Sequence, residues 1–134
     1  MEKANLKLTQ LSLVVTDYDQ AIAYYTQILG FYLVEDVQLT PEKRWVVVSP
    51  SENEGAKILL AKAGNALQAE HIGNQTGGRV FLFLETDNFD QTYANYCQQG
   101  VEFIETPRTE TYAKVVVFKD LYGNKWDLIG RYQI

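Results

Sequence analysis

Two stretches of the sequence decide the expected fold, because they follow the same pattern. Residues 11–36 read LSLVVTDYDQAIAYYTQILGFYLVED, and residues 81–106 read FLFLETDNFDQTYANYCQQGVEFIET. Each stretch opens with an apolar run typical of a strand, passes through Thr-Asp into a helical pattern, and ends in a glycine and a second strand-like run. The chain is therefore predicted to contain one supersecondary unit twice.

Characteristic end residues flank both predicted helices. Asp17 and Asp87 stand where a helix N-cap belongs. Gly30 and Gly100 stand where the glycine after a helix C-terminus belongs. We therefore expect each helix to start just after Thr-Asp and to stop just before the second strand.

The repeat continues beyond the second strand. WVVVS at 45–49 parallels VVVFK at 115–119, and GAKILLA at 55–61 parallels GNKWDLI at 123–129. The predicted fold class is α+β, with two βαβββ modules forming a curved mixed sheet around a cleft. We expect a single domain, with module one at about 5–61, a connector at 62–78 and module two at about 79–131.

Composition limits the classes of partner. The chain has 134 residues, of which 46% are hydrophobic and 22% charged, so it can build a core. A net charge of −5 and a sequence pI of about 4.8 argue against nucleic acid as a partner. No basic run and no apolar stretch of about 20 residues suggests a membrane partner. The single cysteine and the absence of a signal-peptide pattern favour a cytoplasmic location.

The motifs resemble those of the vicinal oxygen chelate superfamily, which includes glyoxalase I, extradiol dioxygenases and the bleomycin- and fosfomycin-resistance proteins. The resemblance rests on LSLVVTDYDQAIAYYTQILGF at 11–31 and on DLYGNKWDLI at 120–129. In the second motif, Leu121 replaces the usual proline and Asp127 stands at the carboxylate position. The resemblance implies a cleft that binds a small molecule and a homodimeric assembly.

The resemblance also implies where a metal would bind. The four ligand positions of the superfamily fall at Gln10, at Leu59, at Val80 or Phe81, and at Asp127. Two of these positions are apolar, so only Gln10 and Asp127 could ligate a metal. We predict no cofactor and leave a divalent metal open as the alternative. The superfamily's dioxygenase chemistry is not expected, because it needs two histidines and a carboxylate and the chain has one histidine.

Alternation in the last predicted strand places Asp127 on the cleft side, since Trp126 and Leu128 fit the buried side. Asp127 and Gln10 are the expected polar anchors of a ligand. The full set of predicted ligand-binding residues is Gln10, Asp127, Leu59, Phe81, Phe83, Arg44, Trp45 and Lys57. A structural role is the alternative for these residues. The carboxylate would then pair with a basic side chain, and the apolar side chains would belong to an ordinary core.

Two functions from different classes remain open at this stage. The first is a glyoxalase/bleomycin-resistance-like protein that binds a small organic molecule without a catalytic metal. The second is a lyase, an isomerase or another enzyme of the superfamily. Such an enzyme would use Asp127 as its acid or base, or an atypical metal set drawing on His71, Glu85 or a second chain. The catalytic residue is not identified, and Asp127 is the best candidate.

Overall fold

The computed structural model describes residues 2–132. Its strands are β1 (Gln10–Val15), β2 (Tyr32–Gln38), β3 (Arg44–Ser49), β4 (Lys57–Lys62), β5 (Val80–Glu85), β6 (Glu102–Phe103), β7 (Arg108–Thr109), β8 (Ala113–Lys119) and β9 (Lys125–Arg131). Its helices are α1 (Tyr18–Ala23), α2 (Ala66–Ala69) and α3 (Phe89–Gln98), and a π-helical segment (Tyr24–Ile28) continues α1. None of the helices in the described part of the chain is long and apolar enough to cross a membrane.

The strands form two mixed sheets with the same order. The first sheet is ordered β1-β4-β3-β2, and the second is ordered β5-β9-β8-β6 with β7 also paired to β8. β1 runs parallel to β4, β5 runs parallel to β9, and the other neighbours are antiparallel. The predicted α+β fold class is confirmed.

The helix ends agree with the sequence in three of four places. Asp17 caps α1, since its carboxylate accepts from the main-chain N–H of Gln20 at 2.8 Å. Gly30 and Gly100 both have positive φ, +76° and +83°. The expectation for Asp87 is wrong, because Asn88 caps α3 in its place. Asn caps a helix as well as Asp does, so α3 starts one residue later than the repeat suggests.

Two local irregularities explain this shift. In β5, Val80 pairs with Lys125 and Leu82 pairs with Trp126, so Phe81 is one extra residue in a β-bulge. The π-helical segment Tyr24–Ile28 adds one residue to the first helix. Each half therefore carries one inserted residue. The two insertions offset each other, so the alignment of the two halves is restored at the glycines after the helices.

The core lies on the helix side of both sheets and joins the two halves. Tyr25 packs against Trp126 with ring centroids 6.0 Å apart, and Phe31 packs against Trp126 at 5.8 Å. The Tyr25 hydroxyl donates to Asp120 at 2.5 Å, and the Tyr96 hydroxyl of α3 donates to the carbonyl of Leu29. The halves thus meet through the sides that carry α1 and α3, which leaves the other side of each sheet turned away from the core.

Candidate ligand site

The outer face is defined here as the side of each sheet that turns away from α1 and α3. Strand pairing assigns residues to it, because directly paired residues lie on the same side of a sheet. Val117 pairs with Asp127, and Val47 pairs with Leu59. Asp127 and Leu59 therefore occupy equivalent places in the two halves, as the repeat predicts. Gln10 is likewise equivalent to Val80, because they pair with Lys57 and Lys125.

Asp127 lies in the middle of the outer face of the second sheet. Its neighbours across the strands are Phe83 on β5 and Val117 on β8. Phe83 is 67% exposed, which is unusual for a phenylalanine on a sheet. A small buried cluster of Ala113, Val115 and Ile129 lies on the same face. The carboxylate is therefore set among apolar side chains, with an exposed aromatic ring beside it.

One oxygen of the Asp127 carboxylate is buried and unsatisfied. Among the described residues, Asp127 Oδ1 has no hydrogen-bond partner. Lys125, the basic residue two positions before it on β9, donates instead to the carbonyl of Gly78 at 3.0 Å. A buried polar atom without a partner costs free energy, so a hydrogen-bond donor beside this oxygen would be stabilising.

A charged cluster borders Asp127 at the edge of β8. Arg108 is held by Glu105 at 3.2 Å and by Glu110 at 2.5 Å. Glu105 also accepts from the main-chain N–H of Val117 at 3.0 Å, where the pairing of β8 with β6 and β7 is interrupted. This cluster was not predicted from the sequence. The alternating charges in ETPRTE at 105–110 were the available signal.

The environment of Asp127 raises its pKa. Burial is the main cause, because it disfavours the charged form. The positive charge of Arg108 lowers the pKa in part, and the negative charge of Glu105 raises it further. Since Arg108 is already paired with two carboxylates, it does not neutralise Asp127 fully.

The first sheet carries a cavity on one side of Leu59. β3 and β4 pair directly only at Val47–Leu59 and Val48–Ile58, so they diverge beyond these residues. The space that they leave has a volume of about 580 Å³, and Trp45, Leu59, Ala61 and Gln68 are among its lining residues. No residue of the second sheet lines this cavity. The predicted residues Trp45 and Leu59 therefore share one cavity, separate from Asp127.

Two of the predicted site residues have other contacts. Arg44 also borders the cavity, but its guanidinium is bound by Asp19 and Asp36, each at 2.8 Å, and lies over the ring of Tyr18. Phe81 packs against the main core. Phe81 and Phe83 were both predicted to bind the ligand, but they do not share a face, because the bulge at Phe81 changes the alternation of β5.

The remaining candidates are spread over the surface. Gln10 and Lys57 pair with each other on the outer face of the first sheet. His71 is exposed just after α2. Glu85 is paired with Arg131 at 2.9 Å. The predicted residues thus lie on both sheets, in the core and in the connector, and the structure does not bring them into one cleft.

The residues at the superfamily's ligand positions do not fit a metal ion. The bulge settles the third position at Val80, so Leu59 and Val80 provide no donor atom. Within residues 2–132, no group of three or more His, Cys, Asp or Glu side chains is arranged to hold a metal. The absence of a catalytic metal stays a prediction, which metal analysis of the protein can test.

Comparison with known proteins agrees with the fold and the motifs. An uncharacterised protein of Shewanella frigidimarina (strain NCIMB 400) is 49% identical over 123 residues, which is 91% of each chain. The crystal structure of UcmS2 is 28% identical, with a TM-score of 0.81 over 94% of this chain and 98% of that one. TnmS3, an antibiotic binding protein from Streptomyces sp. CB03234, is 23% identical, with a TM-score of 0.77 over 98% and 100%.

A family model covers most of the chain, from residue 7 to residue 128. The match includes both halves of the repeat and ends within β9, one residue after Asp127. The chain belongs to the Glyoxalase/Bleomycin resistance protein/Dioxygenase superfamily.

Proposed function

We propose that this protein binds a small, partly apolar organic molecule on the outer face of its second sheet, with Asp127 as the polar anchor. The observation that carries this proposal is the buried, unpartnered Oδ1 of Asp127 beside the exposed ring of Phe83. A ligand that donates a hydrogen bond to the carboxylate would satisfy the oxygen, and a planar ligand would cover the ring. TnmS3 shares the fold and binds an antibiotic, so the fold is compatible with this function.

The binding cleft is completed by a second copy of the chain in this proposal. Within one chain the halves meet through their helix sides, so the two outer faces do not enclose a common cleft. A homodimer could set the outer face at Leu59 of one copy against the outer face at Asp127 of the other. Exposed apolar side chains are available for such a contact, including Leu6, Leu8 and Phe83 at 81%, 73% and 67% exposure.

Assembly is tested by sedimentation equilibrium. We expect a dimer of the 15.3 kDa chain at micromolar concentrations. Phe83→Asp should shift the equilibrium toward the monomer, because it places a charge in the apolar contact. Leu67→Asp on α2 is the matched control, since Leu67 is equally exposed at 67% but lies outside both outer faces. If the parent protein remains monomeric at these concentrations, the proposal of a cleft shared by two copies is wrong.

Ligand binding is tested with a library of antibiotic-like and other aromatic compounds in a thermal-shift screen, followed by titration calorimetry. For a compound that stabilises the parent, Asp127→Asn is expected to weaken binding by roughly 2–5 kcal/mol if the ligand carries a matching charge. Asp90→Asn is the control, because it removes the same charge from an exposed position on α3. Equal affinity of the parent and Asp127→Asn would contradict the role of Asp127.

Acid–base catalysis is the second candidate function, and the raised pKa of Asp127 favours it. A carboxyl group whose pKa is raised by burial among apolar side chains is a candidate general base or acid. In an isomerase or lyase reaction, Asp127 would take a proton from a carbon next to a carbonyl group. If Asp127→Asn loses turnover but still binds the ligand, the result would support acid–base catalysis over a function in binding alone.

A further inference from the structure

We infer a second ligand site, on the helix side of the molecule between the two halves, that accepts a neutral hydroxyl-rich molecule of the sugar class. A cavity of about 1110 Å³ lies there, between the end of the first helix, the β3–β4 turn and one face of α3. Its volume is slightly above the usual range of about 300–1,000 Å³ for small-molecule sites. It shares no residue with the outer-face site at Asp127.

The internal repeat explains why this cavity exists. The fold contains two equivalent grooves, each between the helix of one half and the last β-turn of the other half. In the groove beside α1, the turn residue Tyr122 packs in and its hydroxyl bonds to Gln20 at 3.1 Å. The half-buried Tyr24 lies in the same groove, where burial and the nearby carboxylate of Asp120 raise its pKa. This groove is filled by aromatic side chains of the chain itself.

The equivalent groove beside α3 has polar residues at both of these places. Glu54 in the β3–β4 turn is the counterpart of Tyr122, and Asn95 on α3 is the counterpart of Tyr24 once the N-caps of the two helices are aligned. Both side chains are exposed and both line the cavity. The two aromatic residues of the groove beside α1, one from each half, thus have shorter polar counterparts in the groove beside α3, and that groove stays open.

The lining indicates the class of ligand. Buried Phe31, Tyr96 and Leu128 form an apolar floor. The rim is rich in side-chain amides, which are Gln27, Asn95, Gln98 and Gln99. An amide both donates and accepts hydrogen bonds, so it matches a hydroxyl group, and an apolar floor matches the C–H face of a sugar ring.

Charge in the lining disfavours an anionic ligand. Glu54, Glu85 and Asp87 contribute three carboxylates, whereas Arg131 is the one cation among the lining residues. Arg131 is itself paired with Glu85 at 2.9 Å. A phosphorylated sugar should therefore bind much more weakly than a neutral one.

The test is a titration of the full chain with maltose, monitored by ¹H–¹⁵N NMR. The spectra report both the affinity and the residues at which maltose binds. We expect a dissociation constant of roughly 1–10 mM, with shifts at Asn95, Gln99 and the turn 50–55 and none at Asp127. Glucose 6-phosphate is expected to bind at least about tenfold more weakly. The absence of shifts with maltose, or shifts confined to the outer faces, would overturn the inference.

Variants that restore the aromatic residues of the other groove provide the second arm. Asn95→Tyr and Glu54→Tyr should each occupy part of the cavity and weaken maltose binding at least about tenfold. Ala94→Tyr is the matched control, because Ala94 is the exposed neighbour on α3 that does not line the cavity. If either filled variant does not fold, Gln99→Ala serves instead and should also weaken binding. Equal loss of binding in Ala94→Tyr and in the filled variants would refute the site.

Discussion

Asp120 holds the two halves together, and its removal should be among the most damaging single changes in the chain. It is 4% exposed and stands in the turn before β9. Its carboxylate accepts from the hydroxyl of Tyr25 at 2.5 Å, from the indole of Trp126 at 3.2 Å and from the amide of Asn124 at 3.0 Å. It also accepts from the main-chain N–H groups of residues 122–124 at 3.0–3.1 Å.

The size of the effect follows from the donors that would be left without a partner. Tyr25 and Trp126 are 0% and 2% exposed, so in Asp120→Ala their hydroxyl and indole groups lose their acceptor inside the core. Each such group costs about 1–3 kcal/mol. The main-chain N–H groups of Tyr122 and Gly123 are only partly buried, so they add less. We therefore expect a loss of about 3–5 kcal/mol in the free energy of unfolding, a large part of the total stability of a small domain.

Urea denaturation monitored by tryptophan fluorescence and by circular dichroism measures this loss. Asp90→Ala is the control, since Asp90 makes an exposed ion pair with Lys114 at 2.9 Å and should cost less than about 1 kcal/mol. Asp120→Asn should fall between the two, because it keeps one acceptor oxygen. If Asp120→Ala unfolded at the same urea concentration as Asp90→Ala, the reasoning about the buried network would be refuted.

Two further predictions concern the outer face and the connector. Asp127→Asn should make the free protein more stable at neutral pH, since the raised pKa of Asp127 means that its ionised form is penalised in the folded state. This gain should shrink as the pH falls through the folded pKa and vanish below the ordinary Asp pKa of about 3.9, and lower stability of the variant at pH 7 would contradict it. Gly73→Ala should destabilise the protein by at least about 2 kcal/mol, because φ is +74° and the new Cβ would lie 1.9 Å from the carbonyl oxygen of Tyr122. Gly77→Ala is its control in urea denaturation, with φ of +67° and no atom within 4 Å, and it should lose only about 1 kcal/mol.

The repeat made most of the fold predictable. The shared arrangement of the two sheets and the equivalence of Leu59 with Asp127 follow from aligning the two halves, because equivalent sequences form equivalent strand pairs. Gly30 and Gly100 were predictable because a helix end with positive φ strongly favours glycine. The boundaries of the modules and the presence of one domain remain predictions from the sequence.

The site was harder to predict, for reasons that lie in particular residues. VFLFL at 80–84 is apolar at every position, so alternation could not show which side faces the core, and the bulge at Phe81 left no separate signal. Arg108 reaches the outer face only because β7 pairs with β8, a contact between segments that sequence periodicity does not describe. Arg44 was expected to meet a ligand, but its partners Asp19 and Asp36 come from α1 and β2 and converge on it only in the folded chain.

The duplicated fold also explains why the two halves carry different chemistry. A repeat gives equivalent positions equivalent backbones, so the side chains at those positions decide what each half does. At the centre of the outer faces, Leu59 makes the first half apolar, whereas Asp127 gives the second half a carboxylate with an unpartnered oxygen. In the grooves between the halves, the first half instead carries the carboxylate and the second half the apolar ring. Tyr122 of the second half closes the groove beside α1, whereas Glu54 of the first half leaves the groove beside α3 open. The positions where the halves differ in this way are the ones that the two proposed sites use, because function depends on the residues of a site and not on the fold.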